Sequence, residues 1–102
     1  MKILDLSLTY HWYDMIALGV KKEEYREMKE FYMRRFLTPK EHDPRLKYKH
    51  YDAIRFHRGQ GGKVSMLVEC KGIRTGYGKT EWGAPEDKPV FIISLGEIIS
   101  KD

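Results

Sequence analysis

Leu4, Leu6 and Leu8 alternate with Ile3, Asp5 and Ser7, the period of two that a half-buried strand requires. Thr9 follows as a residue able to cap a helix, with Trp12, Met15 and Ile16 on the inner face and Gly19 placed to end it in a left-handed conformation. The next stretch has two readings. Tyr25, Met28, Tyr32 and Phe36 recur at helical spacing, and Lys21 to Phe36 is rich in helix formers, so periodicity alone predicts one continuous helix there. Residues 37 to 50, with two prolines and many charges, read as a long irregular loop. Tyr51 to His57 and Val64 to Cys70 read as two strands joined by the glycine-rich hairpin connection Arg58 to Gly62. Residues 72 to 89 read as a second loop, and Val90 to Leu95 as a continuous apolar, central strand.

Composition narrows the class. A chain of 102 residues holds one hydrophobic core and one domain, 1 to 102, and its 41% hydrophobic and 13% aromatic content argues against disorder. The one cysteine, Cys70, excludes an internal disulfide, suits a reducing compartment and reads as a small buried apolar side chain. The acidic Asp5 and the short apolar run at the N-terminus do not make a signal peptide, and no stretch reaches membrane-spanning length; the expectation is a cytoplasmic protein with no membrane partner. The net charge of +4 is uneven. Residues 21 to 50 carry ten Lys or Arg against six Asp or Glu, and the rest of the chain carries nine against nine. A localised basic excess attracts polyanions, although the same excess also serves solubility.

The chemistry concentrates at Gly19-Val20-Lys21-Lys22-Glu23-Glu24-Tyr25-Arg26, where the spacing Gly-x-Lys-x-x-Glu-x-Arg sets two cations and a carboxylate close behind a glycine. Such a set can hold a phosphate or a base edge through charge-assisted hydrogen bonds, or move protons if its pKa values are pushed apart. As charges alone it is equally a solvated face with surface ion pairs worth about 0 to 1 kcal/mol each.

With its strand and short helix ahead of it, the motif resembles the opening of an ASCH domain, at Gly19, Lys21, Glu24 and Arg26 and in the flanking pattern Leu6-Ser7-Leu8, Trp12, Met15, Ile16. The resemblance implies an α+β fold: a small, mostly antiparallel PUA-like β-barrel with two or three flanking helices. It also implies that Lys21 to Arg26 is a strand and that the helix starts near Met28, which overrides propensity. The function implied is binding of RNA or a nucleotide in a cleft between the first helix and the barrel. Lys21 and Arg26 would contact backbone or base edges, Glu24 would accept from a base amino group, and Trp12, Tyr77 and Trp82 are further candidate contacts. Some small members of the family are instead metal-independent amidohydrolases of acylated cytidines, such as N4-acylcytidine, using the motif lysine, a threonine three residues later and a glutamate elsewhere. Lys21 matches, but Glu24 occupies the threonine position, so catalysis would fall to Lys21 with Glu24 or Glu69 as base. Flanked by two cations, Glu24 is expected to be a poor base and a good acceptor. A module that binds only a protein partner is the third possibility.

Other signals weaken on inspection. Gly72 to Thr80 ends like a phosphate-binding loop, but its first glycine is one residue too far away and no helix can follow it. Tyr77 and Trp82 lie among glycines, where exposed rings form stacking platforms of about 1 to 3 kcal/mol per base, while a ring at Trp82 also suits plugging a barrel end. His11, His42, His50 and His57 have no metal-ligand spacing, and Ser7, Ser65, Ser94 and Ser100 lack a nucleophile context. No metal and no cofactor is expected.

Overall fold

The computed structural model describes residues 1 to 38 and 47 to 101. The elements run β1 (Ile3–Leu8), α1 (Tyr10–Ala17), β2 (Glu23–Arg26), α2 (Glu30–Phe36), β3 (Ala53–Arg58), β4 (Ser65–Gly76), a 3-10 turn (Thr80–Trp82) and β5 (Val90–Lys101). The strands form one sheet in the order β1-β3-β4-β5-β2. Only β1 and β3 pair in parallel; β3 with β4, β4 with β5 and β5 with β2 are antiparallel. The fold is therefore α+β, with two helices among the described residues against a curled, barrel-like mixed sheet.

The alternation in β1 works as its sequence requires, with Leu4, Leu6 and Leu8 buried and Asp5 and Ser7 exposed. In β5 the four residues Val90 to Ile93 are all buried, as expected of an interior strand covered on both faces. Three register shifts between β4 and β5, from Leu67 to Gly72, bend this long pair and help to curl the sheet. Phe36, fully buried, carries α2 onto the sheet by meeting Phe91 edge-on, with ring centroids 5.1 Å apart.

Helix α1 ends on a Schellman pair: Gly19 N–H donates to Ile16 O and Val20 N–H to Met15 O, with Gly19 at φ +78. The chain thereby turns sharply before the motif. At the other end Thr9 occupies the capping position in an extended conformation, but its side chain makes no cap hydrogen bond, contrary to expectation. Arg58 instead fixes the helix to the sheet, gripping Asp14 with Nε to Oδ1 at 2.9 Å and Nη2 to Oδ2 at 3.0 Å.

Two boundaries differ from the sequence reading. Periodicity alone called for one helix over 21 to 36, but the strand and later helix that the resemblance implies are what forms: Glu23–Arg26 pairs with Phe91 to Ser94 of β5, and the helix, Glu30–Phe36, starts two residues after Met28. Burying Glu24 and pairing its backbone outweighs a helix preference that differs by only tenths of a kcal/mol per residue. The loop expected from residue 72 starts later, because Gly72 to Gly76 continue β4 opposite Val90 to Ser94. The phosphate-loop look-alike is thus largely strand, followed by a 3-10 turn of three residues. Most of the irregular loop expected at 37 to 50, including His42, lies outside the described residues. Among the described residues, no helix is long and apolar enough to cross a membrane.

Candidate functional site

The tight exit from α1 sends Lys21 inward. Its side chain is almost wholly buried, at 1% exposure, and its ammonium donates to Trp82 O at 2.7 Å and lies 3.3 Å from Glu24 Oε1. It also lies 5.1 Å from the ring centre of Trp12 and 4.7 Å from that of Tyr25, so two aromatic faces stand in for water. Burial pulls the Lys21 ammonium below its ordinary pKa, with Glu24 opposing the shift.

Glu24 is shared. Its Oε2 accepts from Arg26 Nε at 2.9 Å, and Arg26 Nη2 lies 2.8 Å away. Period two puts Glu24 and Arg26 on one face of β2, and the turn brings Lys21 to the same carboxylate. Arg26 spends its other donors on the Tyr32 hydroxyl at 3.0 Å and on Ser7 O at 2.9 Å. Burial works against the Arg26 charge, but Glu24 and Tyr32 outweigh it and hold the guanidinium above its ordinary pKa. Ser7 belongs to β1 and Arg26 to β2, the two edges of the sheet. Arg26 therefore spans the seam of the incomplete barrel by satisfying an edge carbonyl.

The segment after β4 closes over this network. Lys79 N–H donates to the Tyr25 hydroxyl at 3.0 Å, and that hydroxyl donates to Glu23 Oε1 at 2.7 Å. Burial raises the Tyr25 pKa to about 12. Glu23 also accepts from Arg74 Nη2 at 2.8 Å; burial alone would raise its pKa, but the hydrogen bonds from Arg74 and Tyr25 leave it lowered. Gly83, at φ +99, ends the 3-10 turn where a Cβ would come within 2.9 Å of the Trp12 ring, so a glycine is needed for Trp82 O to reach Lys21.

A cleft of about 840 Å³ opens between the end of α1 and strands β4 and β5, lined among others by Gly19, Lys21, Lys22, Glu69, Lys71 and Glu97. Lys22 and Lys71 are exposed there, whereas Lys21 is 2% exposed. Glu69 shares this cleft with Lys21, but its Oε1 accepts from the Glu97 N–H at 3.3 Å. Arg26 lines two smaller clefts, one of about 370 Å³ with Tyr25, Gly83 and Lys88, and one of about 380 Å³ with Ser7, Tyr32 and Arg35.

The sequence candidates are thus partly gathered. Lys21, Glu24, Arg26, Trp12 and the Trp82 carbonyl meet in one network, while Tyr77 points outward at 68% exposure. The ring of Trp82 is half-buried, with Lys79 Nζ 4.5 Å from its centre. Sequence reasoning missed Tyr25, Tyr32, Lys22 and Lys71. The strand period could have flagged Tyr25 as facing opposite to Glu24 and Arg26, but nothing in the pattern marks the two lysines. Among the described residues, His11 packs edge-on to Trp12, His50 bonds Asp52 and His57 bonds Asp5; no group of three or more His, Cys, Asp or Glu could hold a metal ion. No protein-family model, no curated protein and no solved structure matches this chain.

Proposed function

We propose that this chain is an ASCH-type, PUA-like domain that binds nucleic acid, RNA foremost, or a nucleotide in the cleft beside Gly19-x-Lys21-x-x-Glu24-x-Arg26. The observation that carries this reading is the cleft itself. It lies between the first helix and the sheet, begins at the motif glycine and lysine, and has a volume suited to a nucleotide. Lys22 and Lys71 supply exposed charge for phosphate, and Glu69 and Glu97 supply acceptors for base amino groups. Of the motif residues, Gly19 and Lys21 line this cleft, Glu24 holds Lys21 there through their ion pair, and Arg26 lines the two smaller clefts. The same reading assigns the chain to the cytoplasm.

Two observations favour the amidohydrolase alternative: Lys21 and Glu69 line the same cleft, and burial lowers the lysine's pKa, as an activated amine requires. Against it, the Lys21 ammonium is held by Trp82 O and Glu24, and Glu69 is engaged with a backbone N–H. Incubating the protein with labelled single-stranded RNAs and with N4-acetylcytidine, reading both binding and product, separates the two. Salt-dependent RNA binding without cytidine release supports the binder. Turnover abolished by Lys21→Ala or Glu69→Gln, with the fold intact, makes the chain a hydrolase, and neither binding nor turnover leaves the protein-interaction module.

A further inference from the structure

A second groove, of about 520 Å³, runs between residues 47 to 51 and the bulged middle of β4. Resting on the binding function proposed above, we propose that it carries the backbone of a single-stranded nucleic acid onward from the motif cleft, so that the ligand is a strand of several nucleotides.

Charge separates this groove from the rest of the surface. Among the described residues, Lys47, Lys49, His50 and Lys71 line it and no carboxylate does, whereas the motif cleft mixes its lysines with Glu69 and Glu97. Of the acids next to its lining residues, Asp52 is already committed to His50 at 3.1 Å and to the Lys2 N–H at 2.6 Å, and Glu69 accepts from the Glu97 N–H at 3.3 Å. Lysines with no carboxylate among the described lining residues suit a repeating anion, and phosphates more than base amino groups.

Continuity gives the groove a direction. Lys71 lines both the motif cleft and this groove, so the two meet at one exposed cation. It stands where β4 slips register against β5, between Cys70 and Gly72. A phosphate on Lys71 would link a nucleotide in the first site to one in the second.

Tyr48 supplies a place for a base. Its hydroxyl donates to Thr75 Oγ1 at 3.2 Å, which pins the ring, and Lys47 Nζ lies 5.7 Å from the ring centre. A pinned aromatic beside a lysine is the arrangement on which single-strand binders stack bases. Lys49 donates to Arg34 O at 2.7 Å, which orients its ammonium and leaves two further N–H donors for phosphate.

The test compares cytidine monophosphate with an oligocytidylate of about eight nucleotides, a length within the range for single-strand binding folds. Lys47→Glu should weaken the oligonucleotide about tenfold and reduce its salt slope by about 0.7, leaving the monophosphate unchanged. Tyr48→Ala should weaken the oligonucleotide at least about fivefold, again sparing the monophosphate. Equal affinity of the wild-type protein for both probes would overturn the groove while the motif cleft stands. So would unchanged oligonucleotide binding in Lys47→Glu. If the wild-type protein binds neither probe, the cleft reading falls and the groove with it. Lys47-dependent binding of a polyglutamate peptide in place of the oligonucleotide would make this a protein-docking surface and also overturn the proposal.

Discussion

The motif network and the groove of Lys47, Lys49 and Lys71 are both cationic, yet they use charge in opposite ways. In the first, Lys21 and Arg26 share one carboxylate beneath aromatic rings, with side-chain exposures of 1% and 14%. In the second, the lysines line open space with no carboxylate among the described lining residues. Buried charges must be partnered, because desolvating an unpaired ion costs several kcal/mol. A partnered charge then has little left to offer a ligand. The contrast teaches that the most conspicuous charged motif in the chain spends its charges on one another, while the less conspicuous Lys47 and Lys71 keep theirs exposed to the water.

The largest effect should come from removing the shared anion. Glu24→Gln leaves Lys21 and Arg26 buried without their common partner and should destabilise the fold by about 3 to 5 kcal/mol, read as a lower urea midpoint. Lys22→Ala, on the exposed segment just ahead of β2, should stay within about 0.5 kcal/mol of the wild type. Equal losses in the two variants would erase the distinction between framework and contact.

Next comes Tyr25→Phe, which removes a hydroxyl that accepts from Lys79 N–H and donates to Glu23. The expected loss is about 1 to 3 kcal/mol, since the partners lose their hydrogen bonds in a partly closed site. In the wild-type protein Tyr25 should still be protonated after the exposed tyrosines have ionised, titrating at about 12, alongside Tyr51, whose pKa burial also raises. A folded-state pKa above the unfolded value means stability that is complete below the unfolded pKa and is lost as the pH rises through about 12. Ultraviolet tyrosinate titration of wild type and Tyr25→Phe tests this directly, and the group titrating at about 12 should vanish in the variant while that of Tyr51 remains.

A smaller effect is expected at acid pH. Glu23 has a lowered folded-state pKa, so the unfolded state binds its proton first; its contribution is present at neutral pH and fades as the pH falls through the folded value. Glu23→Gln should therefore flatten the acid limb of the stability profile, measured by urea midpoints across acidic buffers. An unchanged limb would mean that the bonds from Arg74 and Tyr25 do not favour the ionised carboxylate.

Much of this arrangement was legible in the chain. The alternation of Leu4, Leu6 and Leu8 and the apolar run from Val90 placed one edge strand and one interior strand, because both patterns report burial directly. Gly19 marked the helix end, because only a residue tolerant of positive φ closes a helix that way. The 21 to 36 segment misled periodicity, since Tyr25 and Tyr32 serve the network and not one helix face. The close meeting of Lys21, Glu24 and Arg26 could be anticipated from spacing along a strand. That Trp82 contributes a carbonyl and Ser7 another could not, since main-chain acceptors carry no sequence signal. Lys71 is equally silent: its importance comes from standing where two clefts meet.

The most direct test of the cleft is an amide chemical-shift titration of the labelled protein with a short single-stranded RNA. Shifts should concentrate on Gly19, Lys22, Glu69, Lys71 and Glu97 around the cleft, with the surface of α2 unmoved. Saturable shifts confined to another face, with those five amides unmoved, would contradict the account.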